Sequence, residues 1–355
     1  MTAAAASSTD ADLRQALQRA GYLADEGLAT TLWLAGELQR PLLLEGDAGV
    51  GKTALALAHA KATGRRLVRL QCHEGLDMAQ AAYEWNYCRQ LLAIRLAESA
   101  PATADSGAAG VASQPSAAPQ AKDLFAREYL LERPLLTALS SEQPCVLLID
   151  EIDRADEAFE AFLLEVLADW QITVPELGTL HARHVPAVLL TSNGTRELSD
   201  ALRRRCLYHW LDYPTLAREL AIVRQTLPDA ESALVEQAVA FVQRLRREDL
   251  GKTPGVAETL DWVRALHRLG HQSLPADPHA LTHTLACLMK TREDRFQFSP
   301  ERVAQVLEGR RHQGVAVKAV HAAQARGGLS NGPSDGPSDG PNDGQPQAAL
   351  TTESR

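Results

Sequence analysis

The run Gly46-Asp47-Ala48-Gly49-Val50-Gly51-Lys52-Thr53 decides how the rest of the chain is read. It satisfies the pattern G-x-x-x-x-G-K-[ST], in which glycines let the backbone curl so that successive N–H groups converge on one point. Phosphate oxygens suit such a nest. Lys52 adds a positive charge near the terminal phosphates, and Thr53 supplies a hydroxyl able to ligate magnesium. A helix starting there turns the positive end of its dipole toward the anion. The pattern carries this meaning only between a strand and a helix; elsewhere it is a glycine-rich turn with an exposed lysine. Both neighbours have the right composition. Pro41-Leu42-Leu43-Leu44-Glu45 is a short apolar run of the kind buried in parallel sheets. Ala54 to Thr63 is rich in alanine and leucine and is stopped by Gly64, as a helix would be. Residues 46 to 53 are therefore candidates for holding a nucleoside triphosphate, ATP, with Thr53 also a candidate ligand of Mg2+.

A triphosphate site that hydrolyses its ligand needs acids opposite the phosphate loop. About a hundred residues downstream, the apolar run Val146-Leu147-Leu148-Ile149 ends in Asp150 and Glu151. A buried parallel strand would deliver both carboxylates to its carboxyl end, where ligands of such sheets sit. Asp150 is then the candidate magnesium ligand, and Glu151 the candidate that polarises the attacking water. Alone, such a run is more often a strand leaving the core, and it is the phosphate loop that gives it meaning. Val188 to Asn193 repeats the design with a terminal amide. Asn193 either orients water beside the acids or is an ordinary turn asparagine. Arg203, Arg204 and Arg205 close a short helical segment. Their charge suits transition-state stabilisation in a neighbouring subunit, although a charge run is more commonly a solvated face.

Working outward, residues 10 to 38 read as two helices separated at Gly21. Leu67 to Gln71 reads as a strand, and residues 76 to 98 and Leu124 to Ser141 as helices, with Pro134 at a kink or a helix start. Ala158 to Trp170 reads as a helix, Gln171–Val174 with Thr179–His181 as a hairpin, and Ala187 to Thr191 as a strand. From Pro214 the pattern becomes wholly helical, with amphipathic segments at about 215 to 225, 230 to 248, 256 to 269, 278 to 290 and 299 to 310. The expected fold class is α/β, a P-loop αβα sandwich with a parallel sheet, followed by an all-helical lid. The expected organisation is a flexible N-terminus over 1–9, a nucleotide-binding domain over 10–213, the lid over 214–312 and a disordered tail over 313–355. Residues 99–122, made of Ala, Ser, Pro, Gly and Gln, read as a low-complexity insertion.

The 355 residues carry a formal net charge of -9, which gives no general attraction to nucleic acid. Five separated cysteines form no C-x-x-C pair, so neither a zinc site nor a disulfide framework is expected. The N-terminus has no signal-peptide pattern and no run is long and apolar enough to span a bilayer, so a cytoplasmic location is expected. Without a third ligand, the pairs His181/His184 and His279/His283 read as solvated or capping residues. Trp85, Trp170, Trp210 and Trp262 read as packing anchors.

These strings together resemble the MoxR family of AAA+ ATPases. The resemblance rests on the phosphate loop, on Leu148-Ile149-Asp150-Glu151-Ile152-Asp153-Arg154-Ala155, and on Leu163 to Leu167 followed by Gln171 to Val174. Asp156 to Glu165, Pro175 to Thr179 and Arg204 to Trp210 look most like the CoxD-like branch, associated with maturation of molybdenum hydroxylases such as carbon monoxide dehydrogenase. The resemblance covers about residues 20 to 312. It implies Walker A at Lys52 and Thr53, Walker B at Asp150 and Glu151, and sensor 1 at Asn193. It also implies an arginine finger at Arg205, with Arg203 as second candidate, and adenine-lining residues at Tyr22 and Leu23. By the same resemblance the chain would form a ring, by family habit a hexamer, act on a client metalloenzyme, and work with a von Willebrand A-type partner. One departure stands out. Where the family carries a sensor 2 arginine after a proline, this chain has Thr253-Pro254-Gly255-Val256, leaving Lys252 or Arg264 as substitutes or the contact absent. Two other readings stay open: a DNA-remodelling AAA+ ATPase, and a nucleotide-gated scaffold with little hydrolysis.

Overall fold

The computed structural model describes residues 9–99 and 124–309. The expected insertion at 99–122, apart from Ser99, the N-terminal residues before Thr9 and the tail from 310 lie outside them. Nine strands occur among the described residues: β1 (Leu42–Glu45), β2 (Arg66–Gln71), β3 (Tyr83–Trp85), β4 (Leu130–Glu132), β5 (Cys145–Asp150), β6 (Gln171–Val174), β7 (Gly178–His181), β8 (Ala187–Ser192) and β9 (Leu207–Trp210). Five form one sheet in the order β2-β5-β8-β1-β9, parallel throughout. Strand order reverses between β1 and its neighbours, and crevices at such switch points take ligands.

The central strands are nearly continuous apolar runs because helices cover both of their faces. Successive side chains alternate between two cores. Leu43, Leu147, Ile149, Val188 and Leu190 join one; Leu42, Leu44, Val146, Leu148 and Leu189 join the other, with the helices Asp10–Arg19, Glu26–Glu37 and Lys52–Thr63. The register places Glu45 beside Ser192 and Trp210, and Gln71 beside Asp150, so the polar strand ends share one edge of the sheet.

The C-terminal region is helical: Leu216–Thr226, Ser232–Leu245, Val256–Arg268, Pro278–Thr284, Arg292–Gln297 and Pro300–Leu307. It closes over its own core, where Phe241 and Trp262 are fully buried with ring centroids 5.3 Å apart. Beside that core, Arg246 grips Glu219 with two bonds, Nη1 to Oε2 at 2.7 Å and Nη2 to Oε1 at 2.6 Å. Arg246 Nε also donates to the Pro254 carbonyl at 2.8 Å, and its guanidinium lies over the Tyr213 ring. The turn leading into the helix Val256–Arg268 is thereby fixed.

Several local expectations are corrected. Residues 76 to 98 and 124 to 141 are not two uninterrupted helices. They contain the antiparallel pair β3–β4 between the short helix Met78–Ala81 and the helices Tyr87–Ser99 and Pro134–Leu139. Strands of three residues show no readable period, and Tyr83 and Trp85 sit among helix-forming neighbours that hide them. Pro134 is the first residue of its helix, a place where a missing N–H costs nothing. The edge strand β9 is only four residues long and pairs on one side, with β1, so it carries little sequence signal of its own. Trp210, read as a packing anchor, is 47% exposed on that strand. Trp85 and Trp262 are buried as expected.

Candidate active site

Every residue of the phosphate loop meets at the carboxyl edge of the sheet, between β1 and the helix Lys52–Thr63. Gly49 and Gly51 take φ of +80° and +105°, a region a side chain would disfavour. The loop surrounds a cleft of about 240 Å³ lined by Gly49, Gly51, Lys52, Thr53, Asp150, Glu151, Thr191 and Asn193, with Ala257 from the helical region.

Lys52 is buried, and its ammonium donates to the carbonyls of Gly46 (2.6 Å) and Asp47 (2.8 Å) and to Asn193 Oδ1 (2.9 Å). Burial lowers its pKa below the ordinary lysine value, against the opposing pull of Asp153, Asp47 and Asp150. The structure thus brings the sequence-predicted Lys52 and Asn193 into direct contact. Asn193 is set by Asp153, whose Oδ2 accepts from the N–H groups of Asn193 (3.2 Å) and Thr195 (3.0 Å) and from the Thr195 hydroxyl (2.6 Å). Burial works against the charge of Asp153, but those donors prevail and hold its pKa below the usual aspartate value.

Across the cleft, Thr53 Oγ1 donates to Asp150 Oδ1 at 3.1 Å. The Thr191 hydroxyl donates to the same oxygen at 2.5 Å. Arg69 reaches Oδ2 through Nε at 3.1 Å and Nη2 at 2.5 Å. Glu151 adopts a left-handed backbone, φ 58° and ψ 49°, with its N–H donated to Thr191 Oγ1 at 2.9 Å. This conformation is uncommon away from glycine and is kept only where surroundings enforce it. It turns the carboxylate off the strand. There Gln71 Nε2 donates to it at 3.1 Å and Arg154 Nε lies 3.0 Å away.

Thr53 and Asp150 form the kind of oxygen donor set magnesium takes beside substrate phosphates, and the glycine-lined loop leaves its N–H groups uncrowded by side chains. The residues present therefore fit a magnesium–nucleotide pair.

A second, more apolar cleft of about 250 Å³ adjoins the first through Gly49, Val50 and Gly51. Tyr22 and Leu23 line it, with Leu211, Pro214, Ile222, Val256 and Leu260. Burial pushes the Tyr22 hydroxyl up to about 12, so it stays protonated. Arg218 enters this cleft from the helical region and donates to Asp25 Oδ2 (2.6 Å) and the Leu23 carbonyl (2.7 Å). Its mostly apolar lining suits a nucleobase.

The arginine candidates lie elsewhere. Arg205 is exposed at the end of the helix Asp200–Arg205 and lines neither cleft. Arg203 has Nη2 3.6 Å from Glu45 Oε1. Arg40 fixes this helix end by donating to the carbonyls of Arg204 (2.5 Å) and Arg205 (3.1 Å). Neither proposed sensor 2 substitute joins the site. Arg264 pairs with Asp261, and Lys252 is exposed with its N–H on Asp294.

Sequence reading missed Arg69, Gln71, Thr191 and Arg218. The first three lie at or near the carboxyl ends of β2 and β8, flanking β5. Their signal was a polar residue ending a parallel strand, visible only once strand order is known.

Residues 33–181 match the family profile of the AAA ATPase domain. The parallel sheet, the phosphate loop and the helical C-terminal region make up the AAA+ P-loop fold. Among solved structures, the Thermotoga maritima RuvB Holliday junction branch migration motor is 17% identical, with a TM-score of 0.40 over 77% of this chain and 68% of that one. A RuvB mutant from the same organism gives 17% identity and a TM-score of 0.42 over 89% and 83%. Among the described residues no helix is long and apolar enough to cross a membrane.

Proposed function

We propose that this chain is an ATPase whose phosphate loop holds Mg·ATP and whose hydrolysis drives the remodelling of a client protein. The observation that carries the reading is the pairing of Lys52 with Asn193 on one side of a single cleft and of Thr53 with Asp150 on the other. Magnesium, when bound, would neutralise phosphate charge beside Thr53 and Asp150. Main-chain N–H groups and Lys52 would position the phosphates, Glu151 would take a proton from water, and Asn193 would orient that water. The exposed Arg205 suits action on a neighbour's nucleotide, and so a ring of subunits, a hexamer by family resemblance. The MoxR-like and CoxD-like strings support a client among molybdenum hydroxylases, with a von Willebrand A-type partner and a cytoplasmic setting.

The test is nucleotide affinity and turnover in Lys52→Ala. Loss of a charge-assisted contact predicts about 10- to 100-fold weaker Mg·ATP binding, whereas undiminished affinity would falsify the assignment. The client is tested by cofactor loading of molybdenum hydroxylases in a deletion strain, with normal loading of all of them counting against it. A second reading is a nucleotide-gated scaffold with little turnover. It is favoured by the helical region placing only Ala257 on the phosphate cleft. Equal near-zero rates for the natural chain and Glu151→Gln would decide for the scaffold.

A further inference from the structure

We propose that Arg69 is the resident counter-ion of the magnesium-binding carboxylate, holding Asp150 in place while metal is absent and leaving its Oδ2 when magnesium is engaged. The inference deepens the nucleotide reading above and rests on it.

The two oxygens of Asp150 are treated differently. Oδ1 accepts from two neutral hydroxyls, those of Thr191 at 2.5 Å and Thr53 at 3.1 Å. Oδ2 takes both of its close contacts from one guanidinium, at 2.5 and 3.1 Å; Thr53 lies farther off at 3.3 Å. The Asp150 side chain is only 3% exposed. A carboxylate so buried is costly to keep ionised without a charged partner, and hydroxyls do not supply charge. Arg69 supplies it from the neighbouring strand, where it stands opposite Leu148 and leans along β2 toward the sheet edge.

Three features make this contact exchangeable rather than fixed. The Arg69 side chain is 51% exposed, so its head can turn to water while its stem stays on the strand. Thr191 and Thr53 keep their hold on Asp150 through Oδ1, so the carboxylate stays aimed when Arg69 departs. A divalent cation taken up by Asp150 would compete with the guanidinium at this carboxylate, because like charges at close range repel. Uptake of metal by Asp150 would therefore draw the arginine off its carboxylate, and the Arg69–Asp150 contact would raise the magnesium needed.

The test titrates MgCl2 against the full chain with a fluorescent, non-hydrolysable ATP analogue, for the natural protein, Arg69→Gln and Arg154→Gln. The readouts are the half-saturating magnesium for tightened analogue binding, and the unfolding temperature in EDTA. Arg154→Gln removes the same charge from beside Glu151 and leaves Asp150 untouched. The expected result is that Arg69→Gln lowers the magnesium requirement about tenfold and lowers the unfolding temperature in EDTA more than with saturating Mg-analogue. Arg154→Gln changes the requirement less than about twofold. An unchanged or higher requirement in Arg69→Gln overturns the proposal, as does an equal fall in Arg154→Gln, which would reveal only the general field. Should Arg69→Gln fail to fold, Arg69→Lys, which keeps charge but loses the two-donor grip, must also show a lower requirement than the natural chain. If the natural chain binds no analogue at any magnesium concentration, the nucleotide reading itself fails. If it binds and Arg69→Gln titrates identically, only the counter-ion role fails.

Discussion

The backbone N–H of Val256, the first residue of its helix, donates to the carbonyl oxygen of Gly49 in the phosphate loop at 2.9 Å. The helical region touches the loop main chain to main chain. The approach is close enough to dictate the residue before Val256. A Cβ on Gly255 would lie 2.6 Å from Gly49 Cα and 2.8 Å from its carbonyl carbon and oxygen. Both partners are backbone and cannot swing aside. The position is held in place by Arg246, whose Nε bond to Pro254 ties the turn to the buried Glu219 pair.

Gly255→Ala is therefore expected to push the helical region off the phosphate loop. Overpacking of this kind costs about 1–3 kcal/mol. Because the strain falls on the contact between the loop and the helical region rather than on either core, it should show mainly as weaker nucleotide binding, about 5- to 150-fold by that energy. Equilibrium binding of a fluorescent ATP analogue measures it. Affinity equal to that of the natural chain would mean that the contact is incidental to binding.

Glu151→Gln keeps the size of the side chain and its left-handed backbone but removes its basicity. Turnover is expected to fall about 100- to 10,000-fold, the range for loss of a general base, while Mg·ATP affinity changes little. Phosphate release and analogue binding, measured on the same preparation, separate the two effects. A fall in both together would place Glu151 in binding rather than in proton transfer.

The sheet and the phosphate loop were legible because long apolar runs and a local motif carry their own signal. Leu42–Leu44 and Val146–Ile149 read as buried strands from their unbroken apolar character alone. What escaped was set by tertiary placement. Strand β9 is half-exposed at the sheet edge, and its meaning comes from pairing with β1. Arg69 looks like any surface arginine of a strand until β2 lies beside β5. Of the alternatives for the missing arginine, neither Lys252 nor Arg264 lines the phosphate cleft, which leaves an absent contact. Helix N-terminal sequence locates the turn but not the approach of Gly255 to Gly49, which leaves no room for a Cβ at that one position.

The Glu219–Arg246 pair gives a stability prediction. Both side chains are almost wholly buried, at 0% and 7% exposure, and Gln243 and Thr259 complete the bonds to Glu219. Glu219→Ala would strand a buried guanidinium and is expected to cost about 3–5 kcal/mol. The double change Glu219→Met with Arg246→Met is expected to cost clearly less, since no unpaired charge remains. Urea unfolding of the variants measures both. Equal losses would show that packing rather than charge pairing dominates there.

His59 gives a pH prediction that is independent of nucleotide. It lies buried in the helix Lys52–Thr63, its Nδ1 finds no hydrogen-bond partner, and burial, aided by Arg65, lowers its pKa to about 4. In the unfolded chain the ring titrates near about 6.5. Between those values the unfolded state binds a proton that the folded state refuses, so stability falls as pH drops from about 6.5 toward about 4 and levels off below. The full effect is about 3 kcal/mol, of which about 2 kcal/mol is reached by pH 5. His59→Leu removes the titration, so the difference in urea-unfolding free energy between the natural chain and this variant should move by about 2 kcal/mol between pH 7 and 5. Carboxylates titrate in both proteins alike and cancel in the difference. Parallel pH profiles would mean that the folded ring accepts its proton as readily as the unfolded one.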